Sequence, residues 1–188
     1  MQQTKLNLVA ARSLLVLGGA RSGKSAYAQS LAEGAATERL YLATAEPGDV
    51  EMAARIARHQ SERGAGWTTR EEPLAMVEAL SAETREGRVV LVDCLTLWLA
   101  NLMLAGRAVD AEIDRLAEAI PALEGPAVIV SNEVGLGLVP DTRLGREFRD
   151  SHGRANREVA HACDAVVLIA AGLPSLIKPA PRPAFTLR

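Results

Sequence analysis

The sequence predicts an α/β fold: a mostly parallel sheet flanked by helices, in a single domain of the P-loop NTPase type. Three observations carry this. Five short apolar runs of strand length alternate with helix-length segments. The first run opens into GGARSGKS, residues 18–25, which fits G-x-x-x-x-G-K-[ST]. The chain has 188 residues, 48% of them hydrophobic, enough for one proper core and short for two.

The elements follow in order. Residues 1–13 read as a lead-in without a function. LLVLG (14–18) is all apolar before a glycine-rich loop, the pattern of a buried parallel strand. A helix runs from Lys24 to Glu33 and ends near Gly34. RLYLATA (39–45) is the second strand. A helix over 49–63 begins at Asp49 as N-cap and is stopped by Gly64 and Gly66. Pro73 to Glu86 is a helix with proline in its first turn. RVVLVDC (88–94) is the strongest strand. LTLWLANLML (95–104) is apolar nearly all round and belongs in the interior. AEIDRLAEAI (111–120) is amphipathic, and PAVIVSNE (126–133) is the fourth strand. A long helix covers 141–163 with Leu144, Phe148, Ala155, Val159 and Ala162 on one side. DAVVLIAAG (164–172) is the fifth strand. Four prolines, at 174, 179, 181 and 183, mark 174–188 as an irregular tail.

Composition excludes several classes. With 23% charged residues and a formal net charge of −2, nothing points to nucleic acid, and any anion site has to be local. Cys94 and Cys163 have no metal or redox spacing and lie in apolar surroundings, as reduced buried thiols do. No secretory signal is visible, and no apolar run reaches about 18 residues, so a cytoplasmic protein without a membrane span is expected.

Ligands of such sheets bind at the carboxyl ends of the strands. The glycines of Gly18, Gly19, Ala20, Arg21, Ser22, Gly23, Lys24 and Ser25 let backbone N–H groups turn toward phosphates. Lys24 adds charge at the β- and γ-phosphates, and Ser25 supplies a hydroxyl for Mg²⁺. A glycine-rich turn with a chance lysine is the bland alternative, and the strand-then-helix context argues against it. Asp93 ends VVLVD beside the P-loop, where a carboxylate holds Mg²⁺ through water or takes a proton from a substrate hydroxyl. It can also be a simple N-cap for the helix from 95. Glu133, after VIVSN, has a similar address. No N-K-x-D is present, and the third strand continues DCLT where a signalling GTPase carries D-x-x-G, which argues against a signalling switch.

His59 is one of three histidines, with Arg55 and Arg63 four residues to either side. Val50, Ala53, Ala54 and Ala57 form the core face of the expected helix and place His59 opposite, between two guanidiniums suited to phosphates. Nearby positive charge keeps an imidazole neutral, as a nucleophile must be. An idle surface histidine fits the same pattern.

GGARSGKS, YLATA, the histidine block 49–60, LVDCLTLWLANL, SNEVGLGLVP and FRDSHGRANREVA together resemble the bifunctional adenosylcobinamide kinase/adenosylcobinamide-phosphate guanylyltransferases of cobalamin biosynthesis, over Leu14 to Leu176. The resemblance implies phosphorylation of the adenosylcobinamide hydroxyl by ATP or GTP. It further implies transfer of GMP from GTP through a guanylylated histidine, His59, to adenosylcobinamide phosphate. It implies nucleotide contacts at the P-loop, at Ala43, Thr44 and Ala45, at Gln60, Ser61, Glu62 and Arg63, at Glu71 and at Asp93. It suggests a homo-oligomer, a trimer. Two other readings stay open on the residues alone: a P-loop kinase of another small hydroxyl compound, and a nucleotide-dependent regulatory protein.

Overall fold

The computed structural model describes residues 10–45, 64 and 66–179. The expected helix over 49–63, with His59, its flanking arginines and Gln60 to Arg63, lies outside the described residues, as do residues 1–9 and 180–188.

Strands β1 (Ser13–Gly18), β2 (Glu38–Ala43), β3 (Trp67–Glu71), β4 (Arg88–Asp93), β5 (Ala127–Asn132), β6 (Ala165–Ala170) and β7 (Leu173–Lys178) form one sheet in the order β3-β2-β4-β5-β1-β6-β7. All neighbours are parallel except β6 and β7, which pair antiparallel across a tight turn. The described helices are α1 (Lys24–Ala35), α2 (Met76–Glu83), α3 (Leu95–Leu104), α4 (Val109–Ala119) and α5 (Arg143–Ala162). A short 3-10 turn, Ile120–Ala122, follows α4.

The period-two alternation of the strands sorts the core into two layers. Leu15, Leu42, Val90, Val92 and Ile129 pack on the face covered by α2 to α5. There α3 buries Leu95, Trp98, Leu99 and Leu102, the i, i+3, i+4, i+7 stripe of a helix face. Val16, Tyr41, Leu91, Val128, Val130 and Val167 point to the other face, against Ala28 and Ala32 of α1. The small residues let α1 lie close to the sheet and bring its N-terminus to the end of β1.

Three expectations are corrected. The stretch 174–178 is not an irregular tail but belongs to β7, whose Pro174 sits opposite Ile169 on an edge strand, where no ladder partner is needed. WTTRE, for which the sequence predicts no element, is the edge strand β3. The helix expected from Pro73 starts at Met76, because Glu72 accepts the Ala75 N–H at 2.9 Å and shapes a turn first. The helix expected to end near Gly34 ends at Ala35. Leu144, placed on the core side of the long helix, is 55% exposed, while His152 and Asn156 are buried on that helix.

Candidate functional site

At the carboxyl edge the strands end in one row. Glu71 pairs with Ala43, and Ala43 with Asp93. Asp93 pairs with Val130, two residues before Asn132, and Asn132 pairs with Gly18. Strand spacing puts Asp93 about 10 Å from the P-loop strand and Glu71 about 19 Å from it. The expectation that the Asp93 strand lies beside the P-loop is corrected: β5 intervenes, because the chain returns after α4 to fill the gap between β4 and β1.

The P-loop is built on Gly18. A Cβ there would stand 2.8 Å from the Ile169 carbonyl oxygen, and also against Ser22 Oγ, so only glycine fits. The loop then closes on itself, with Ser22 N donating to Gly19 O at 3.2 Å and Gly172 N donating to Ser22 O at 2.9 Å. Arg21 at φ 57° and Gly23 at φ 94° adopt left-handed backbone, the alternation that gathers N–H groups into an anion-binding concavity. Lys24 is 9% exposed, and its Nζ donates to Gly19 O at 3.2 Å, across the loop where a phosphate belongs. Ser22 Oγ is buried without a hydrogen-bond partner among the described residues, as in a loop shaped for an anion. Ser25 lies half-buried in the first turn of α1.

Asp93 does not cap α3. The capping position is Cys94, with no side-chain cap bond, and Asp93 Oδ2 instead accepts the Tyr41 hydroxyl at 2.8 Å. The carboxylate is therefore held in place while Oδ1 accepts no bond among the described residues. Thr44 locks this end of the strand. Its hydroxyl donates to Cys94 O at 2.7 Å and accepts from Cys94 N at 2.8 Å. Its N–H reaches Asp93 O at 3.3 Å, and its carbonyl accepts from Asn101 Nδ2 at 2.7 Å. Thr44 is fully buried and acts inward, which leaves Ala43 and Ala45 as the outward members of that segment. Burial pushes the Cys94 thiol up to about 11, with the Asp93 charge as a second cause, so it stays protonated and inert.

Sequence reading missed a polar cluster under the row: half-buried Thr96 with buried Ser131, His152 and Asn156. The signal was present as polar residues on the apolar side of α5. Desolvation lowers the His152 imidazole to about 4, so it is neutral. Glu71, at the end of β3, is exposed. Glu133 donates its N–H to Gly18 O at 3.2 Å, which places it directly beyond the P-loop.

A magnesium ion takes hard oxygen donors and keeps water and phosphate oxygens. The Asp93 carboxylate and the Ser25 hydroxyl are such donors. Among the described residues no group of three or more His, Cys, Asp or Glu is gathered, and an ion held mostly by phosphates needs none. No helix among them is long and apolar enough to cross a membrane.

The family model for cobinamide kinase / cobinamide phosphate guanyltransferase matches residues 14–177. The bifunctional adenosylcobalamin biosynthesis protein CobP of Pseudomonas aeruginosa is 46% identical over 169 residues, covering 89% of this chain and 98% of that protein. The corresponding CobU of Salmonella typhimurium is 39% identical over 180 residues, covering 88% and 99%. Among solved structures, the ATPase EscN of the enteropathogenic E. coli type III secretion system aligns with TM-score 0.55 at 10% identity. That alignment covers 86% of this chain and 43% of EscN, and it speaks to the fold alone.

Proposed function

The chain belongs to the cobinamide kinase / cobinamide phosphate guanyltransferase family, and from that premise we propose how its residues divide two transfers along one strand edge. It is a bifunctional enzyme of cobalamin biosynthesis, an adenosylcobinamide kinase and adenosylcobinamide-phosphate guanylyltransferase. The observation that carries the division of labour is the row from Gly18 through Asn132 and Asp93 to Glu71, long enough for an extended nucleoside triphosphate.

In the kinase step the P-loop N–H groups and Lys24 hold the β- and γ-phosphates of ATP or GTP. The adenosylcobinamide hydroxyl oxygen bonds to the γ-phosphorus, the bond from that phosphorus to the bridging oxygen breaks, and a nucleoside diphosphate leaves. Asp93, fixed by Tyr41, takes the hydroxyl proton on Oδ1. Mg²⁺, held by Ser25 and Asp93 with phosphate oxygens, would neutralise charge on the transferring group.

In the second reaction the neutral imidazole of His59 bonds to the α-phosphorus of GTP and pyrophosphate leaves. The adenosylcobinamide phosphate oxygen then displaces the imidazole and gives adenosylcobinamide-GDP. Glu71, Ala43 and Ala45 line the nucleoside end, and Gln60, Ser61, Glu62 and Arg63 follow His59 toward the same nucleotide. Arg55 and Arg63 stabilise charge on the phosphates. A cytoplasmic homo-oligomer, a trimer, completes the proposal.

The test is incubation with α-labelled GTP and Mg²⁺, then peptide mapping. Label is expected on His59 as a phosphoramidate, stable to base and lost in mild acid. Label elsewhere, or equal label in His59→Ala, overturns the guanylyl route. His59→Ala is expected to keep kinase activity, since that step uses the P-loop and Asp93.

A further inference from the structure

The strand between the P-loop and Asp93 ends at Asn132, which is paired with Gly18 and followed by the residue that donates to Gly18 O. Asn132 is thus part of the floor of the site. A hydroxyl holds it from behind. Thr96 Oγ1 accepts the Asn132 backbone N–H at 3.0 Å and its side-chain Nδ2 at 3.1 Å. Asn156 Nδ2 donates to Asn132 O at 3.0 Å. Two N–H donors fill both lone pairs of the Thr96 hydroxyl, so its own proton must go elsewhere. The acceptor within reach is His152 Nε2, at 3.0 Å. Ser131 Oγ, 3.3 Å from the same nitrogen, has its own acceptor in Asn156 Oδ1 at 2.7 Å.

With Nε2 as the acceptor of the Thr96 proton, the neutral imidazole carries its own proton on Nδ1, and Nδ1 is buried with no hydrogen-bond partner among the described residues. His152 is fully buried and packs against the Phe148 ring. An imidazole with an unsatisfied N–H is a costly core residue, and an apolar side chain of similar volume would fill the space more cheaply. What it supplies is one acceptor at Nε2.

We propose that His152 is a positioning residue for the transfer reactions. By accepting the Thr96 proton it fixes Thr96 as a double acceptor, and Thr96 in turn fixes the Asn132 amide between the P-loop and Asp93. With Nδ2 engaged, Asn132 Oδ1, which accepts no bond among the described residues, is the polar atom left for the nucleotide or for the attacking hydroxyl. His152 touches neither; it acts through Thr96.

The inference rests on the family's kinase reaction, and the experiment separates the two. Kinase kcat and KM are measured with ATP, cobinamide and Mg²⁺ for the wild type, His152→Leu, His152→Gln, Thr96→Val and the Thr96→Val/His152→Leu pair, with melting curves. His152→Leu is expected to lower kcat about 10²-fold, the scale of a small misplacement at a reacting centre. Its KM for ATP should move less than about threefold, as for a group acting only in the transition state. His152→Gln is expected to recover most of the loss, because its amide oxygen reaches the Nε2 position. The double variant should be no slower than Thr96→Val alone. ¹⁵N NMR of the wild type should show Nδ1 protonated and Nε2 bare at neutral pH. A folded His152→Leu with wild-type kcat, a Gln variant no better than Leu, additive losses, or an Nε2–H tautomer overturns the proposal. If His152→Leu does not fold, Thr96→Val, His152→Gln and the tautomer decide it. A wild-type protein without kinase activity overturns the family reading instead.

Discussion

Single atoms decide two positions at the site. At Gly18 an added methyl would press on Ser22 Oγ and the Ile169 carbonyl at once. The serine can rotate; the strand carbonyl cannot. Gly18→Ala is therefore expected to distort the phosphate loop and raise KM for the nucleotide about 10²-fold, and adding Ser22→Ala should not restore it. Steady-state kinetics of the two variants check this. Asp93 is the opposite case, because its carboxylate does chemistry and not capping. The cap is Cys94, and the carboxylate's bond is to Tyr41. Asp93→Asn keeps an oxygen for that hydroxyl, so its melting temperature should hold within a few degrees while kcat of the kinase step falls at least about 10²-fold. A fully active Asp93→Asn enzyme would remove Asp93 from the reaction.

Between elements, the site depends on contacts that span the sequence. Thr44 follows β2 and Cys94 follows β4, fifty residues apart, and one hydroxyl satisfies both polar groups of the Cys94 backbone. Thr44→Val has the same shape without that hydroxyl. It strands the buried Cys94 N–H, at a cost of about 1–3 kcal/mol, while the Cys94 carbonyl keeps the Trp98 N–H at 3.2 Å. A fall in melting temperature of about 3–10 °C is expected for a chain of this size. The same distances explain what was legible. Apolar runs such as VVLV and VIV announce buried central strands, and GGARSGKS announces its own turn, because those signals are local. β3 carries only WTTRE on an edge, and β7 contains Pro174, so neither shows the apolar run of a buried strand. The insertion of β5 between β1 and β4 is a matter of how crossover helices pack, and no residue pattern encodes it. The P-loop and Asp93 were read from strand ends, whereas Glu71 came only from the family resemblance. Tyr41, Thr96 and His152 were not found, because their partners lie 52, 36 or 56 residues away.

Across the whole molecule, acid acts on the surface and the interior in different pH ranges. Hydrogen bonds hold several exposed carboxylates below their ordinary range: Gln29 bonds Glu33, Arg85 bonds Glu38, Arg115 bonds Glu78 and the Ser13 backbone bonds Asp164. Their contribution is present above the ordinary carboxylate values and is lost as pH falls through those values toward the lowered ones. His152 acts earlier. Its imidazole titrates near 6.5 when unfolded and about 4 when folded, lowered by desolvation. The unfolded chain therefore binds the extra proton between those values, so the contribution is fully present above pH 6.5 and is lost as pH falls toward 4. Between pH 7 and pH 5 the loss from this one group is on the order of 2 kcal/mol. Protonation would also place a donor on Nε2, facing a Thr96 hydroxyl whose lone pairs are already filled. Urea unfolding at pH 7 and pH 5 measures the effect. The wild type should lose stability over that interval, and His152→Gln, which cannot titrate, should lose about 2 kcal/mol less. Equal losses in the two proteins would mean that the neutral imidazole is not what limits the fold in mild acid.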